Sequence, residues 1–361
     1  MPPSVPDPAS TAPAIDFGPL RALLDDPTVT EVMVNGPHDV FAERGGRLQR
    51  VPTPFASEAV LLELLRALAR AAGRPLDAAS PMADGRLPDG SRFNAVVRPV
   101  AADGPALTIR KFRRDVHGSE DLVAGGAWTQ RMATFLSACV RARANVVVSG
   151  GTGAGKTTVL NVLTSFVPRD QRIVMIEDVG ELTAAVENRV LLEARPPVPG
   201  DPGVSVRALV VNAMRMRPDR VIVGECRGAE AYDMLNAMNT GHEGSMTTVH
   251  ANSAREALRR LESMVLMAGT EMPLRVVRQH VSSAIHFLLH MARGADGVRR
   301  MVEIVEVAGM EGEAILTQDV WAFTLDGGFR PRGLVPRFVR SFRERGVDFP
   351  QDFFADLRPN R

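Results

Sequence analysis

The stretch Val146–Asn161, "VVVSGGTGAGKTTVLN", decides the reading of this chain. Three valines give a buried strand, a glycine-rich turn comes next, and a lysine, two threonines and an apolar run open a helix. Residues 150–157 fit G-x-x-x-x-G-K-[ST] without a mismatch. Glycines at such a turn let backbone N–H groups close around a phosphate where side chains would collide. The helix starting at Lys156 points its positive end at the same anion. The expected nucleotide contacts are Gly150, Gly151, Thr152, Gly153, Ala154, Gly155, Lys156, Thr157 and Thr158, with ATP as the ligand. Lys156 is expected to reach the β- and γ-phosphates, and the Thr157 hydroxyl to hold Mg²⁺.

Further along, "RIVMIEDVGEL" delivers Glu177 and Asp178 where a strand emerges, and "DRVIVGECRG" does the same for Glu225. Ligands of parallel α/β sheets sit at the carboxyl ends of strands, so these acids are expected to face the phosphates. A general Walker B strand carries Asp before its Glu. Here Gly224 stands in that place, which makes Glu225 the metal-side carboxylate, directly or through water. In "NTGHEGSMTTVHANS", His242 and His250 lack further zinc ligands at suitable spacing and read as a nucleotide sensor and a loop-orienting group. His286 and His290 alternate with Ile285, Phe287, Leu289 and Met291 on an expected strand, about 13 Å apart, too far to share a metal. Both read as structural.

Around this motif, short Val/Ile strands alternate with helices from a helix near Thr129–Ala142 onward, the rhythm of a parallel sheet covered by helices. The first ~110 residues differ: a short helix, a strand at Glu31–Val34, hairpins, and a helix capped by Ser57 with a stripe of Val60, Leu61, Leu64, Leu65 and Leu68. The expected organisation is a Pro/Ala-rich disordered tail at 1–14, a small α+β domain at 15–112, a basic linker at 113–128 and an α/β P-loop ATPase domain at 129–361.

Composition narrows the function. The chain has 361 residues with 43 basic and 42 acidic side chains, a formal net charge of +1, so it has no general pull toward nucleic acid or anionic lipid. Aromatic residues make up 5%, a poor supply of base-stacking platforms for a RecA-like nucleic-acid motor. The two cysteines, Cys139 and Cys226, cannot build a disulfide framework or a four-cysteine zinc clip and read as ordinary thiols of a reducing compartment, with Cys226 a redox liability through its place between Glu225 and Arg227. No apolar run approaches a membrane span and the first residues do not form a signal peptide, so a cytoplasmic protein is expected. A non-catalytic nucleotide sensor would not need both acidic strand ends and the histidine box.

The P-loop, the "IEDVGEL" acidic box, the Asp-less "MRMRPDRVIVGECRG" and the histidine box "TGHEGSMTTVHAN" occur in the order found in type II/IV secretion ATPases, which the chain resembles from about residue 17 to its end. "DGRLPDGSRFNAVV", "LTIRKF", "ARPP" and "ILTQDVWAF" look most like the CpaF-type branch that powers Tad (Flp) pilus assembly, with a type IV secretion ATPase moving protein or DNA as the alternative. The balanced charge and few aromatic residues make a direct nucleic-acid partner unexpected. The resemblance implies a PAS-like N-terminal domain, a RecA-like ATPase domain, a homo-oligomeric ring, usually a hexamer, and docking on integral inner-membrane platform proteins at the cytoplasmic face. It also implies roles: Glu177 activates the attacking water, Glu225 serves the Mg²⁺ side, His250 senses the γ-phosphate, and Arg92 and Arg110 reach the nucleotide from the first domain. The tetracysteine zinc segment of many pilus-extension ATPases is absent.

Overall fold

A computed structural model describes residues 15–112, 118–178, 180–197, 200–269, 271–332 and 335–355. The expected disordered tail at 1–14 lies outside them. The chain divides into two compact units, Met1–Asp115 and Val116–Arg361.

In the first unit, α1 (Arg21–Asp25) leads into β1 (Val29–Asn35), β2 (Val40–Arg44) and β3 (Arg47–Val51). Then α2 (Glu58–Ala71) precedes β4 (Met82–Arg86), β5 (Arg92–Val96) and β6 (Ala106–Arg110). All pairings are antiparallel, in the order β3-β2-β1-β6-β5-β4. Ser57 caps α2, its hydroxyl accepting from the Val60 N–H. Leu61, Leu64, Leu65 and Leu68 bury against Val32, Val34, Phe93, Ala95, Leu107 and Ile109. Val60 departs from the expected stripe and is exposed, because it falls beyond the sheet-facing side of the helix. With period-two alternation, Glu31, Arg92 and Arg110 lie on the sheet face turned away from this core.

The second unit begins with α3 (Ser119–Ala124) and α4 (Gln130–Arg141). Residues 118–128 are therefore not linker: Leu122, Ala127 and Trp128 are core side chains, and Trp128 Nε1 donates to the Ser119 carbonyl. An indole that size is held by the burial it provides. Residues 113–117 lie outside the described set. Next come β7 (Val146–Gly150), α5 (Lys156–Ser165), β8 (Ile173–Glu177), β9 (Arg189–Glu193), α6 (Val206–Ala213), β10 (Arg220–Cys226), α7 (Glu230–Asn239) and β11 (Met246–His250). After α8 (Ala254–Met267) and α9 (Leu274–Ala284), the sheet continues with β12 (Phe287–Arg293), β13 (Arg299–Glu311), β14 (Ala314–Thr324) and β15 (Gly328–Pro331); α10 (Ser341–Glu344) comes after them.

The nine strands run in the order β15-β14-β13-β12-β7-β11-β10-β8-β9. The six from β12 to β9 are parallel, and β13 to β15 continue antiparallel. Alternation explains why these strands are apolar throughout. Val146 and Val148 enter one core with α4 and α5, while Val147 enters the other with α7, α8 and α9. Parallel pairing then gathers the carboxyl ends of β7, β11, β10 and β8 along one edge. Among the described residues no helix is long and apolar enough to cross a membrane.

Candidate nucleotide site

The loop leaving β7 is shaped by close approach. A Cβ on Gly150 would stand 2.5 Å from the Met291 carbonyl oxygen on β12, so the residue must be glycine. Gly155, at φ 95°, takes the left-handed turn that starts α5. Lys156 Nζ donates to the Gly151 carbonyl at 3.1 Å, which lays the ammonium across the loop's mouth. Thr157 and Thr158 sit in the first turn of α5, half-buried.

Glu177 ends β8 and is 3% exposed. Its Oε2 accepts the backbone N–H groups of Glu181 (2.7 Å) and Leu182 (2.9 Å). Its Oε1 is buried without a partner among the described residues. Burial raises this carboxyl to about 7 against the pull of those two N–H groups, and the charges of Glu193 and Glu181 push the same way as burial. The missing Walker B aspartate has a steric reason. A Cβ on Gly224 would lie 3.1 Å from Glu177 Cβ and 3.7 Å from Leu182 Cδ1, so Glu177 occupies the space a side chain there would need.

Glu225 stands one residue later on β10. Its Oε2 accepts from Arg227 Nε (2.9 Å) and Nη2 (2.7 Å), and Arg227 Nη1 reaches Asp178 Oδ2 at 3.5 Å. Arg227 thus ties the ends of β8 and β10 together. Between them, Cys226 is buried with its thiol pushed to about 12, first by burial. A thiol so rarely ionised is inert, which removes the expected redox liability.

His250 ends β11 in register with Gly150, half-buried at the same edge. His242 lies before β11, at the opposite end, and so does not share a site with His250. Lys156, Thr157, Glu177, Glu225 and His250 therefore meet along one edge of the second unit. Arg92 and Arg110 belong to the first unit, where they face each other across β5 and β6, and Arg110 Nε lies 3.5 Å from Glu31 Oε1.

The residue reading missed His290 as part of this edge. It is 5% exposed on β12, in register with Ser149, and its Nδ1 lies 2.9 Å from Ser149 Oγ. Burial lowers its affinity for a proton; Glu303, Glu256 and a hydrogen bond to the Asn252 backbone oppose that, and Lys156 adds to it. Its partner His286 is structural as read: Nδ1 accepts the Asn145 N–H at 2.9 Å, at the far end of the sheet. The signal that separates them is the register of β12 against β7, which no local pattern encodes.

A parallel sheet with a P-loop after β7 and carboxylates at neighbouring strand ends defines a P-loop nucleotide-binding protein. Residues 14–311 match the model of the type II/IV secretion system protein family, and the chain belongs to that family. It is 40% identical to a putative conjugal transfer protein of Mycobacterium tuberculosis (84% of this chain, 88% of the relative). It is 32% identical to the type IV secretion system protein VirB11 of Brucella suis (83% and 92%). The crystal structure of the pilus retraction motor PilT with ADP shares the fold at TM-score 0.57 and 15% identity, covering 96% of this chain and 98% of that one.

Proposed function

We propose that this chain is the ATP-hydrolysing motor of a type IV secretion apparatus, moving protein or DNA cargo. ATPase activity follows from the family, and cargo transfer is supported by the names of the M. tuberculosis and B. suis relatives. The observation that carries the chemistry is Glu177, a buried carboxyl at about 7 with one oxygen tied to the backbone and one without a partner among the described residues. Such a group takes a proton from water near neutral pH while keeping its orientation.

In this reading the loop amides and Lys156 bind the phosphates, and Lys156 leaves the Gly151 carbonyl to do so. His250 reports the γ-phosphate from the end of β11. The hard oxygen donors of Thr157 and Glu225 fit Mg²⁺, Glu225 directly or through water, once Arg227 yields its carboxylate. When bound, the ion neutralises charge on the phosphates. The chain works as a homo-oligomer, a hexameric ring, docked on integral membrane proteins at the cytoplasmic face; its first domain is PAS-like and its second RecA-like, and Arg92 and Arg110 of the first serve the nucleotide. A Tad-type pilus motor is the second reading, favoured by the "RLPDGSRFN" and "ILTQDVWAF" segments.

Steady-state hydrolysis tests the chemistry. Lys156→Ala and Glu177→Gln should each lose at least ~100-fold in turnover, with nucleotide still bound by the Gln variant. Turnover within about twofold of the parent in Lys156→Ala would sink the site. Deleting the gene in its host separates the two readings: loss of cargo transfer with surface filaments intact supports secretion, and the reverse supports the pilus.

A further inference from the structure

The opposite edge of the second unit is rich in arginine. Segments 141–145, 168–172 and 214–220 lead into the parallel strands β7, β8 and β10. They hold Arg141, Arg143, Arg169, Arg172, Arg215, Arg217 and Arg220 against Asp170 and Asp219, in a chain of net charge +1. Parallel topology, not sequence proximity, brings these loops to one end. Arg345, beyond α10, joins them across the chain: its Nη1 donates to the Ala142 carbonyl at 3.2 Å and meets Glu243 Oε2 at 2.7 Å.

The first two of these segments and the turn at 345–347 line an open cleft of about 420 Å³, with Arg141, Arg143, Arg345, Gln171 and Asp170 on its walls. Arg220 does not line the cleft but stands behind Gln171, which does, and is 0% exposed. Its Nε donates to Gln171 Oε1 at 2.7 Å and its Nη1 to the Gly244 carbonyl at 3.2 Å, both neutral acceptors. Its Nη2 is buried with no partner among the described residues. Asp219, the neighbouring carboxylate that favours the charged form, is already engaged by the Arg172 N–H (2.7 Å) and Arg143 Nη2 (3.4 Å). Burial and the charge of Arg143 both bring the Arg220 guanidinium down, to about 9. A buried cation held only by neutral acceptors, directly behind a wall lined by further guanidinium groups, adds positive charge that an anion in the cleft would offset. The crowding is tight: a Cβ on Gly244 would fall 2.4 Å from Arg220 Nη1 and 3.1 Å from Arg143 Cα.

We propose that this cleft is a second anion site, separate from the P-loop, that takes the phosphate group of a soluble phosphate ester or diphosphate. Planar guanidinium groups match phosphate oxygens bidentately, and several converging from different loops give the site its selectivity for a multiply charged group. It lies at the amino ends of the strands that carry the P-loop and Glu177 at their carboxyl ends. A five-residue strand sets the two sites on the order of 15 Å apart.

Calorimetric titration with inorganic pyrophosphate tests it, since pyrophosphate also fits the P-loop and the two sites can be removed one at a time. Lys156→Ala should retain one class of binding at about one equivalent per chain. Adding Arg141→Gln and Arg345→Gln to that background should weaken it by ~10-fold or more, with an unchanged melting temperature showing that the variant is folded. Arg141→Gln with Arg345→Gln alone should keep the P-loop class. Sedimentation with phosphatidylglycerol vesicles is the second arm. Vesicle binding that pyrophosphate displaces and the two substitutions abolish assigns the phosphate to a lipid headgroup and overturns the soluble ligand. Complete loss of pyrophosphate binding in Lys156→Ala overturns the site itself, as does full binding in the triple variant.

Discussion

His290 Nδ1 and Ser149 Oγ lie 2.9 Å apart on adjacent parallel strands, one residue before the P-loop begins. The same imidazole is bonded to the backbone of Asn252, two residues past His250. One buried ring therefore spans the root of the glycine-rich loop and the segment just past His250. Glu303, in register with His290 on β13, fixes that segment further by accepting the Ala254 N–H at 3.1 Å.

His290→Leu should cut kcat by ~10-fold or more while shifting nucleotide affinity by less, because it loosens the coupling between two loops and leaves the phosphate contacts in place. His290→Gln keeps a hydrogen-bonding side chain near Ser149 and should recover part of the loss. Equal loss of melting temperature and activity in both variants would reduce the ring to a packing element.

The role of this ring is not legible in the sequence, and strand order is the reason. The strand signals of β7 and β8 are plain, since "VVV" and "IVMI" must be buried on both faces. The glycines after β7 and the carboxylate of Glu177 on β8 can be placed at strand ends from the residues alone. Strand order is another matter: β12 sits beside β7 although β7 ends at Gly150 and β12 begins only at Phe287, and nothing local specifies that pairing. The linker reading failed for a related reason, because Trp128 is buried by partners distant in sequence. The arginines of 141–143, 169–172 and 215–220 look like three unrelated basic turns until parallel topology collects them.

Glu177 sets a pH dependence. Its ordinary value is 4.5 and its folded value about 7, so between these the native chain binds the proton that the unfolded chain releases. Stability should thus fall as pH rises from about 4.5 through 7, by on the order of 1–3 kcal/mol, and Glu177→Gln should flatten that slope. Hydrolysis should move the other way, rising with pH along a limb near 7 that the Gln variant lacks. Thermal melts and kcat profiles from about pH 5 to 8.5 read both; a parent with no such limb would remove Glu177 from the role of base.

Arg227 competes for the carboxylate assigned to the metal side. Its guanidinium holds Glu225 through Nε and Nη2, yet its side chain is 62% exposed, so the pair contributes little to stability. Arg227→Ala should lower the Mg²⁺ concentration for half-maximal hydrolysis by ~2–5-fold, in keeping with an exposed ion pair of up to about 1 kcal/mol. A raised Mg²⁺ requirement would mean that Arg227 presents Glu225 to the ion instead of withholding it.

Arg92 and Arg110 face each other directly across β5 and β6, and Arg86 on β4 is in register with Arg92. Glu31, in register with Arg110, lies 3.5 Å from Arg110 Nε. The arrangement gains when an anion is shared between the guanidinium groups. If that anion is the nucleotide's terminal phosphate, Arg92→Ala and Arg110→Ala should each cut hydrolysis at least ~10-fold, a small part of the ~10³–10⁵ that arginine fingers supply elsewhere. Arg92→Ala leaves the Arg110–Glu31 pair intact, and the melting temperature of each variant separates a loss of hydrolysis from a loss of folding. Steady-state ATPase, a sizing profile and a fluorescent-nucleotide titration on each variant give the answer. Two variants that assemble, bind and hydrolyse like the parent would make the first unit an adaptor with no part in the chemistry.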